Sequence, residues 1–381
     1  MKQIRLKGKD IFDGQQFLGA GKVLVIDEDG TVAGITTESD IDGDVQELDG
    51  ILCPGFVNTH CHLELSAMKG VIPEGTGLPA FLTQVMQSRN NNADSQEAAI
   101  SAAEAAMWQA GIAAVGDISN STATLAQKQQ GKLYYHTFVE CMGFTDAGAK
   151  GRYAYSMDVL QQFKKINGAQ HSCSIAPHAP YSVSKTLFGM LAATPDNVPV
   201  TIHNQECAAE NELYQHKTGD FLPFYQTFGI DIKGFEAPGS NSLAAYLPFF
   251  SQQKILLVHN TYTTDTDIRF ALQQALETWW CLCPQANLYI EGRLPDIPLL
   301  RRHGCNITLG TDSLASNHQL SVWEEIRTLQ AHFPELPLAE LLKWATSNGA
   351  RALGISGTYG SFHKGARPGV VLIDQECQRI I

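Results

Sequence analysis

The feature that most constrains this chain is a series of short runs that are apolar throughout rather than on alternate residues, separated by helical, often Ala- and Gln-rich, stretches. Strands buried on one face alternate apolar and polar residues, whereas strands covered on both faces read as continuous apolar runs. Eight such runs occur, at 51–59, 112–118, 134–139, 172–177, 198–203, 254–259, 279–283 and 306–310. Helical patterns lie between them, clearest at 95–110 and 184–193, and two more follow the eighth run at 322–332 and 338–353. This is an α/β pattern, and eight strand–helix units predict a (β/α)8 TIM barrel rather than an open doubly wound sheet. No Gly-rich dinucleotide fingerprint follows any run. The connection 205–253 exceeds ordinary loop lengths and is expected to form part of a substrate cover.

The ends of the chain read differently. Val23–Ile26 and Thr31–Ile35 flank Asp27-Glu28-Asp29-Gly30, a hairpin signal, and Gly369–Asp374 is a further β-branched run. These segments predict a small β-sandwich domain formed by both termini, residues 1–50 plus 361–381, with the barrel over 51–360. Charged residues make up 17% of the chain, below the roughly 25% usual in globular domains, which fits a large core. A net charge of −12 without a Lys/Arg cluster argues against nucleic acid as a partner. No run of 18 apolar residues suggests a membrane span, and Met1–Lys7 leads into charged residues without the apolar segment of a signal peptide. Nine cysteines without framework spacing fit reduced thiols, hence a cytoplasmic protein.

In a barrel, the C-terminal ends of the strands meet at one mouth. The first run ends in Pro54-Gly55-Phe56-Val57-Asn58-Thr59-His60-Cys61-His62, and residues i and i+2 of a strand point the same way. His60 and His62 can therefore share one metal ion. The fourth run ends at His178, the fifth at His203 with Glu206 three residues on, the sixth at His259, and the eighth at Asp312. Each has an ordinary explanation. A lone histidine is commonly structural, Asp312 before Ser313 could cap a helix, and Glu206 could be a solvated loop carboxylate. So many coincidences at equivalent positions are much less probable than one. Cys281 and Cys283 share the i, i+2 spacing, but sit in an apolar run and read as buried small hydrophobes.

These motifs together resemble the amidohydrolase superfamily, in particular its deaminase/chlorohydrolase-like branch. The resemblance rests on P-G-F-V-N-T-H-C-H, H-A-P-Y-S, H-N-Q-E, V-H-N and L-G-T-D-S in order, and on Asn348–Gly354 and the return Gly360–Asp374. It implies that His60, His62, His203 and Asp312 hold one divalent ion, with zinc the expected metal and iron(II) the alternative. The fourth run has no lysine, so the carboxylated lysine of binuclear members is missing and a mononuclear site is expected. The substrate is a small molecule, and relatives are often homodimers. Glu64 departs from many relatives. It is similar to a residue of the aminodeoxyfutalosine deaminases, and it could either accept hydrogen bonds from N–H groups of a base or support a ligand histidine.

The implied chemistry is hydrolytic deamination of a purine-like or related N-heterocycle. Asp312 would take a proton from the attacking water and Glu206 would pass one to a ring nitrogen. His259 would orient the attacking oxygen and stabilise developing charge. His178 and Glu64 are expected to bind substrate, and Arg293 could meet a substrate carboxylate. The alternative uses the same site to cleave an amide, a cyclic amide or a carbon–halogen bond.

Overall fold

The computed structural model describes residues 3–88, 95–251 and 253–381. Six short strands come first: β1 (Gln3–Lys7), β2 (Asp10–Ile11), β3 (Lys22–Asp27), β4 (Val32–Thr37), β5 (Gln46–Glu47) and β6 (Ile51–Pro54). Eight longer-range units follow: β7 (Phe56–Cys61), β8 (Ile112–Ser119), β9 (Tyr134–Cys141), β10 (His171–Pro177), β11 (Val200–Asn204), β12 (Lys254–His259), β13 (Glu277–Leu282) and β14 (Asn306–Leu309). The chain closes with β15 (Val370–Ile373) and β16 (Cys377–Arg379).

The terminal strands form two four-stranded sheets, ordered β4-β3-β1-β5 and β16-β15-β6-β2. The β3–β4 hairpin turns through Gly30 at φ 85°, a conformation glycine adopts without steric cost. Leu6, Leu24, Ile26 and Val32 of one sheet share an apolar cluster with Ile11, Leu52 and Val370 of the other.

The run 51–59 proves to be two strands. β6 pairs with β15 and β2, whereas β7 pairs with β8. The break falls at Pro54-Gly55, where a Cβ on Gly55 would lie 2.5 Å from the Pro368 carbonyl oxygen and 2.8 Å from Ala113 Cβ. Residues 51–54 therefore pair with β15 and β2, and the parallel pairing begins at Phe56.

Between the termini lie two parallel four-stranded sheets, β10-β9-β8-β7 and β11-β12-β13-β14. β7, β8 and β9 are buried at every position, which is the covered-on-both-faces condition that their composition predicted. Backbone bonds join the sheets at both seams. The His203 N–H donates to the His178 carbonyl at 2.9 Å, and the Asp312 N–H donates to the His60 carbonyl at 3.1 Å.

The expected helices form at Gln96–Gln109, Lys185–Ala192 and Val322–His332. Ser184 and Ser321 cap the latter two by accepting backbone N–H bonds. The pattern at 338–353 is interrupted: helix Leu338–Lys343 widens through Trp344–Asn348 before Gly349–Ala352. Asn348 donates to the Ile307 carbonyl at 2.8 Å there, tying the wide turn to β14. Directly after β13 the chain turns into helix Pro284–Glu291, which Pro284 opens. The long connection after β11 folds into helices Ala208–His216, Phe221–Thr227 and Ser242–Tyr246.

Candidate active site

His60 comes from β7 and His62 from the residue just beyond it, His203 from β11 and Asp312 from just beyond β14. Their tips converge. His62 Nε2 lies 3.2 Å from Nε2 of both His60 and His203 and 3.4 Å from Asp312 Oδ1, and His60 Nε2 is 3.5 Å from the same oxygen. Ligands about 2.0–2.1 Å from a tetrahedral zinc ion stand roughly 3.3 Å apart, so these four atoms already have the spacing of a filled coordination shell. His203 Nδ1 donates to the His178 carbonyl at 2.8 Å, which leaves Nε2 with the lone pair a metal needs. His259 also reaches the group, its ligand atom lying with those of His60, His203 and Asp312 within 4.8 Å of one another. His62 contacts three members of that group, His60, His203 and Asp312, at 3.2, 3.2 and 3.4 Å.

Local structure explains the convergence. Gly310 lets β14 approach β7, since a Cβ there would come within 2.7 Å of His60 Cβ and 3.0 Å of Cys281 Sγ. Asn58 donates to Thr311 Oγ1 at 2.8 Å and accepts the Thr311 N–H at 3.1 Å, stitching the two strand ends together. Gln205, His259, Asn260 and Asp312 all have positive φ, at 46°, 73°, 62° and 56°. Non-glycine residues there cost of order 1–3 kcal/mol each and cluster at functional sites. The surrounding bonds hold them, for example Asn260 donating to the Leu257 and Cys281 carbonyls at 2.8 and 3.2 Å.

The electrostatics separate the roles. Burial pushes His178 and His203 down to about 4 and His62 and His259 well below the usual imidazole value. Neutral imidazoles are the form that binds metals. Burial would raise Asp312, but the His60 hydrogen bond and the nearby histidines hold it well below the usual carboxylate range. Glu206 is pushed well above its range, by burial first and then by the charge of Asp312. Its Oε1 lies 3.6 Å from His259 Nε2. Neither ring nitrogen of His259 makes a hydrogen bond among the described residues, so its polar edge is available to a ligand.

His62, His203, Glu206, His259 and Asp312 line a cavity of about 670 Å³, a size suited to a small molecule. His178 and Glu64 line it. His178 Nδ1 is 2.6 Å from Ser182 Oγ, and the Glu64 carboxylate accepts the Asn120 N–H at 3.1 Å and the Ser121 hydroxyl at 3.3 Å. Phe224, Tyr225 and Ile230 from the long connection cover one side, with Tyr225 stacked on Phe144 at 4.9 Å. Arg293 is not brought to the cavity. It follows the left-handed Gly292, and its guanidinium rests 4.8 Å over the Tyr262 ring. Glu140, at the end of β9, was missed. It lines the cavity, accepts Asn120 Nδ2 at 2.9 Å and has Oε1 3.7 Å from His203 Nδ1. The strand-end rule that selected the histidines would have found it. Glu140, His178 and His203 also converge, but Nδ1 of His203 is committed to the His178 carbonyl.

Three imidazoles and a carboxylate at metal-ligand spacing, beside a small-molecule cavity that Glu206 also lines, are the donor set of a metal-dependent hydrolase. The chain belongs to the amidohydrolase family, whose model matches residues 51–380, and it is a hydrolase of non-peptide carbon–nitrogen bonds. It is 27% identical over 81% of its length to an adenosine deaminase of Helicobacter pylori, covering 75% of that protein. The structure is similar to that of Helicobacter pylori aminofutalosine deaminase in complex with methylthio-coformycin, with TM-score 0.83 and 23% identity over 98% of this chain and 93% of that one. It also matches an adenosine deaminase from Xanthomonas campestris with bound zinc, with TM-score 0.76 and 21% identity over 97% and 84% of the two chains.

Proposed function

We propose that the chain is a zinc aminohydrolase that releases ammonia from the purine-like ring of a nucleoside. The observation that carries this reading is Glu206, a buried carboxyl that lines the same cavity as His62, His203 and Asp312 and whose proton affinity burial raises well above the usual range. A ring nitrogen must be protonated for its neighbouring carbon to accept water, and Glu206 is the group able to do it. The deaminase relatives, and the zinc of the Xanthomonas protein, support the same assignment. His60, His62, His203 and Asp312 are the residues that would hold the ion. Bound there, it would lower the pKa of water toward neutrality.

The residues then divide the work. Asp312, kept ionised, accepts one proton from the attacking water while Glu206 protonates the ring nitrogen. His259 orients the attacking oxygen and offsets its developing charge. The amino-bearing carbon becomes tetrahedral. Asp312 returns its proton to the departing amine, and Glu206 recovers a proton from the new hydroxyl as the carbonyl forms. His178 and Glu64 position the ring in the cavity. We further propose that the two parallel sheets close into one (β/α)8 barrel, as the backbone bonds at both seams support, and that the terminal sheets pack as a small β-sandwich. The nine free cysteines support a reducing, cytoplasmic setting.

Ammonia release on a panel of purine nucleosides, free purines, pterins and triazines tests the proposal. Turnover of at least one adenine-type nucleoside is expected. Inactivity on every amine-bearing ring, with amide or chloride substrates consumed, would overturn it.

A further inference from the structure

Lys128 takes no part in this chemistry, yet its side chain is wholly buried between β8 and β9. An ammonium has three donors, and three acceptors surround it: Asp117 Oδ2 at 2.6 Å, Ser119 Oγ at 3.1 Å and Thr137 Oγ1 at 2.9 Å. The rings of Phe163 and Tyr135 lie 4.8 and 5.3 Å from Nζ. Asp117 is equally buried. Desolvating an ion pair is costly before attraction offsets it, and hydrophobic residues would usually do as well. A specific role is therefore required of the pair.

That role lies in the other carboxylate oxygen. Asp117 Oδ1 accepts the backbone N–H of Leu63 at 2.8 Å. Leu63 directly follows His62 and precedes Glu64, so this bond anchors the turn from which both project. The strand ladder does not provide that anchor. Pairing of β7 with β8 shifts between Phe56 and Val57 and again between Asn58 and Cys61, and its last pair is Cys61 with Asp117, two residues short of Leu63. The chain between these points carries His60, and the next residue after Cys61 is His62.

We propose that Asp117 is a positioning residue for the metal centre. Its carboxylate holds Leu63 just beyond the last ladder pair, aiming His62 at the other donors and Glu64 into the cavity. Lys128 is the counter-ion that lets this carboxylate sit in the core. The inference rests on His62 being a metal ligand.

The test compares two charge-free pairs of substitutions with the wild-type protein. In D117N/K128M the side-chain carbonyl still accepts the Leu63 N–H; in D117L/K128M no acceptor remains. Zinc affinity is measured by chelator competition, alongside kcat, KM and the melting temperature. D117N/K128M is expected within about 3-fold of wild type, whereas D117L/K128M should lose roughly 10–100-fold in zinc affinity, the usual effect of removing outer-shell support, with a matching fall in kcat. Should the leucine prevent folding, D117A/K128M removes the acceptor without added volume and replaces it in the comparison. Equal zinc affinity and kcat in the two pairs would overturn the positioning role alone. A wild-type protein that binds no zinc would overturn the metal reading, and this inference with it.

Discussion

Glu206→Gln isolates the proton-transfer role from binding. Glu206 is 3% exposed, and burial together with the Asp312 carboxylate keeps it protonated. A neutral amide of the same shape therefore replaces a neutral acid, and folding stability should change by no more than about 1 kcal/mol. The four converging donors are untouched, so bound metal should stay at the wild-type level. What disappears is the proton. A positioned general acid contributes about 10²–10⁴-fold, which corresponds to roughly 3–5 kcal/mol of barrier. The loss should fall on kcat with little change in KM, because the interaction matters only as the ring nitrogen takes up charge. Steady-state ammonia release gives the kinetic constants, and metal analysis with thermal melting on the same preparation shows whether the site is intact. A kcat within about 10-fold of wild type, with metal retained, would refute the argument. Loss of the metal would instead make Glu206 a ligand.

His60→Ala should remove metal and turnover together. Its Nε2 touches both His62 and Asp312, and metal analysis of an active, metal-free variant would contradict the donor set. Glu210 gives a pH dependence separate from catalysis. Burial, only partly offset by its hydrogen bonds from Ser242 and the Gln205 N–H, raises it from 4.5 to about 7. The folded state thus holds this proton more tightly than the unfolded chain. The associated stability is complete below pH 4.5 and is lost as pH rises through about 7, a contribution of at most about 3 kcal/mol. Glu210→Gln retains an acceptor for both donors but cannot ionise. Its melting temperature should be flatter than the wild-type value across that window, and parallel curves would rule Glu210 out as the source.

The legible parts of this protein were those governed by local periodicity. Continuous apolar runs marked the covered strands because a strand with two buried faces has no polar positions to show. His60, His62, His203 and Asp312 stood out because each ends such a run, where a polar residue is conspicuous. The same rule applied to β8 and β9 would have picked Asp117 and Glu140. They escaped notice because carboxylates are common, and only contacts with Leu63, Lys128 and Asn120 give them meaning. The division of 51–59 into β6 and β7 was hidden because both halves are apolar. Arg293 looked like a binding residue from its charge alone. Its direction is set by the left-handed Gly292 and the stack on Tyr262.

The amino-acid sequence by itself determined the α/β order, the residues capable of holding a metal and the class of chemistry, since residue type and spacing are sufficient for these. The resemblance assigned Asp312 as base and Glu206 as acid, and only the tertiary structure supplies the physical reason for that proposed division. Glu206 and Asp312 have similar chemistry in isolation, and their opposite shifts arise from what folding places around them. Burial beside a negative charge keeps Glu206 protonated, while the His60 hydrogen bond and the neighbouring imidazoles keep Asp312 ionised. Such differences depend on distances of a few ångströms between residues far apart in the chain.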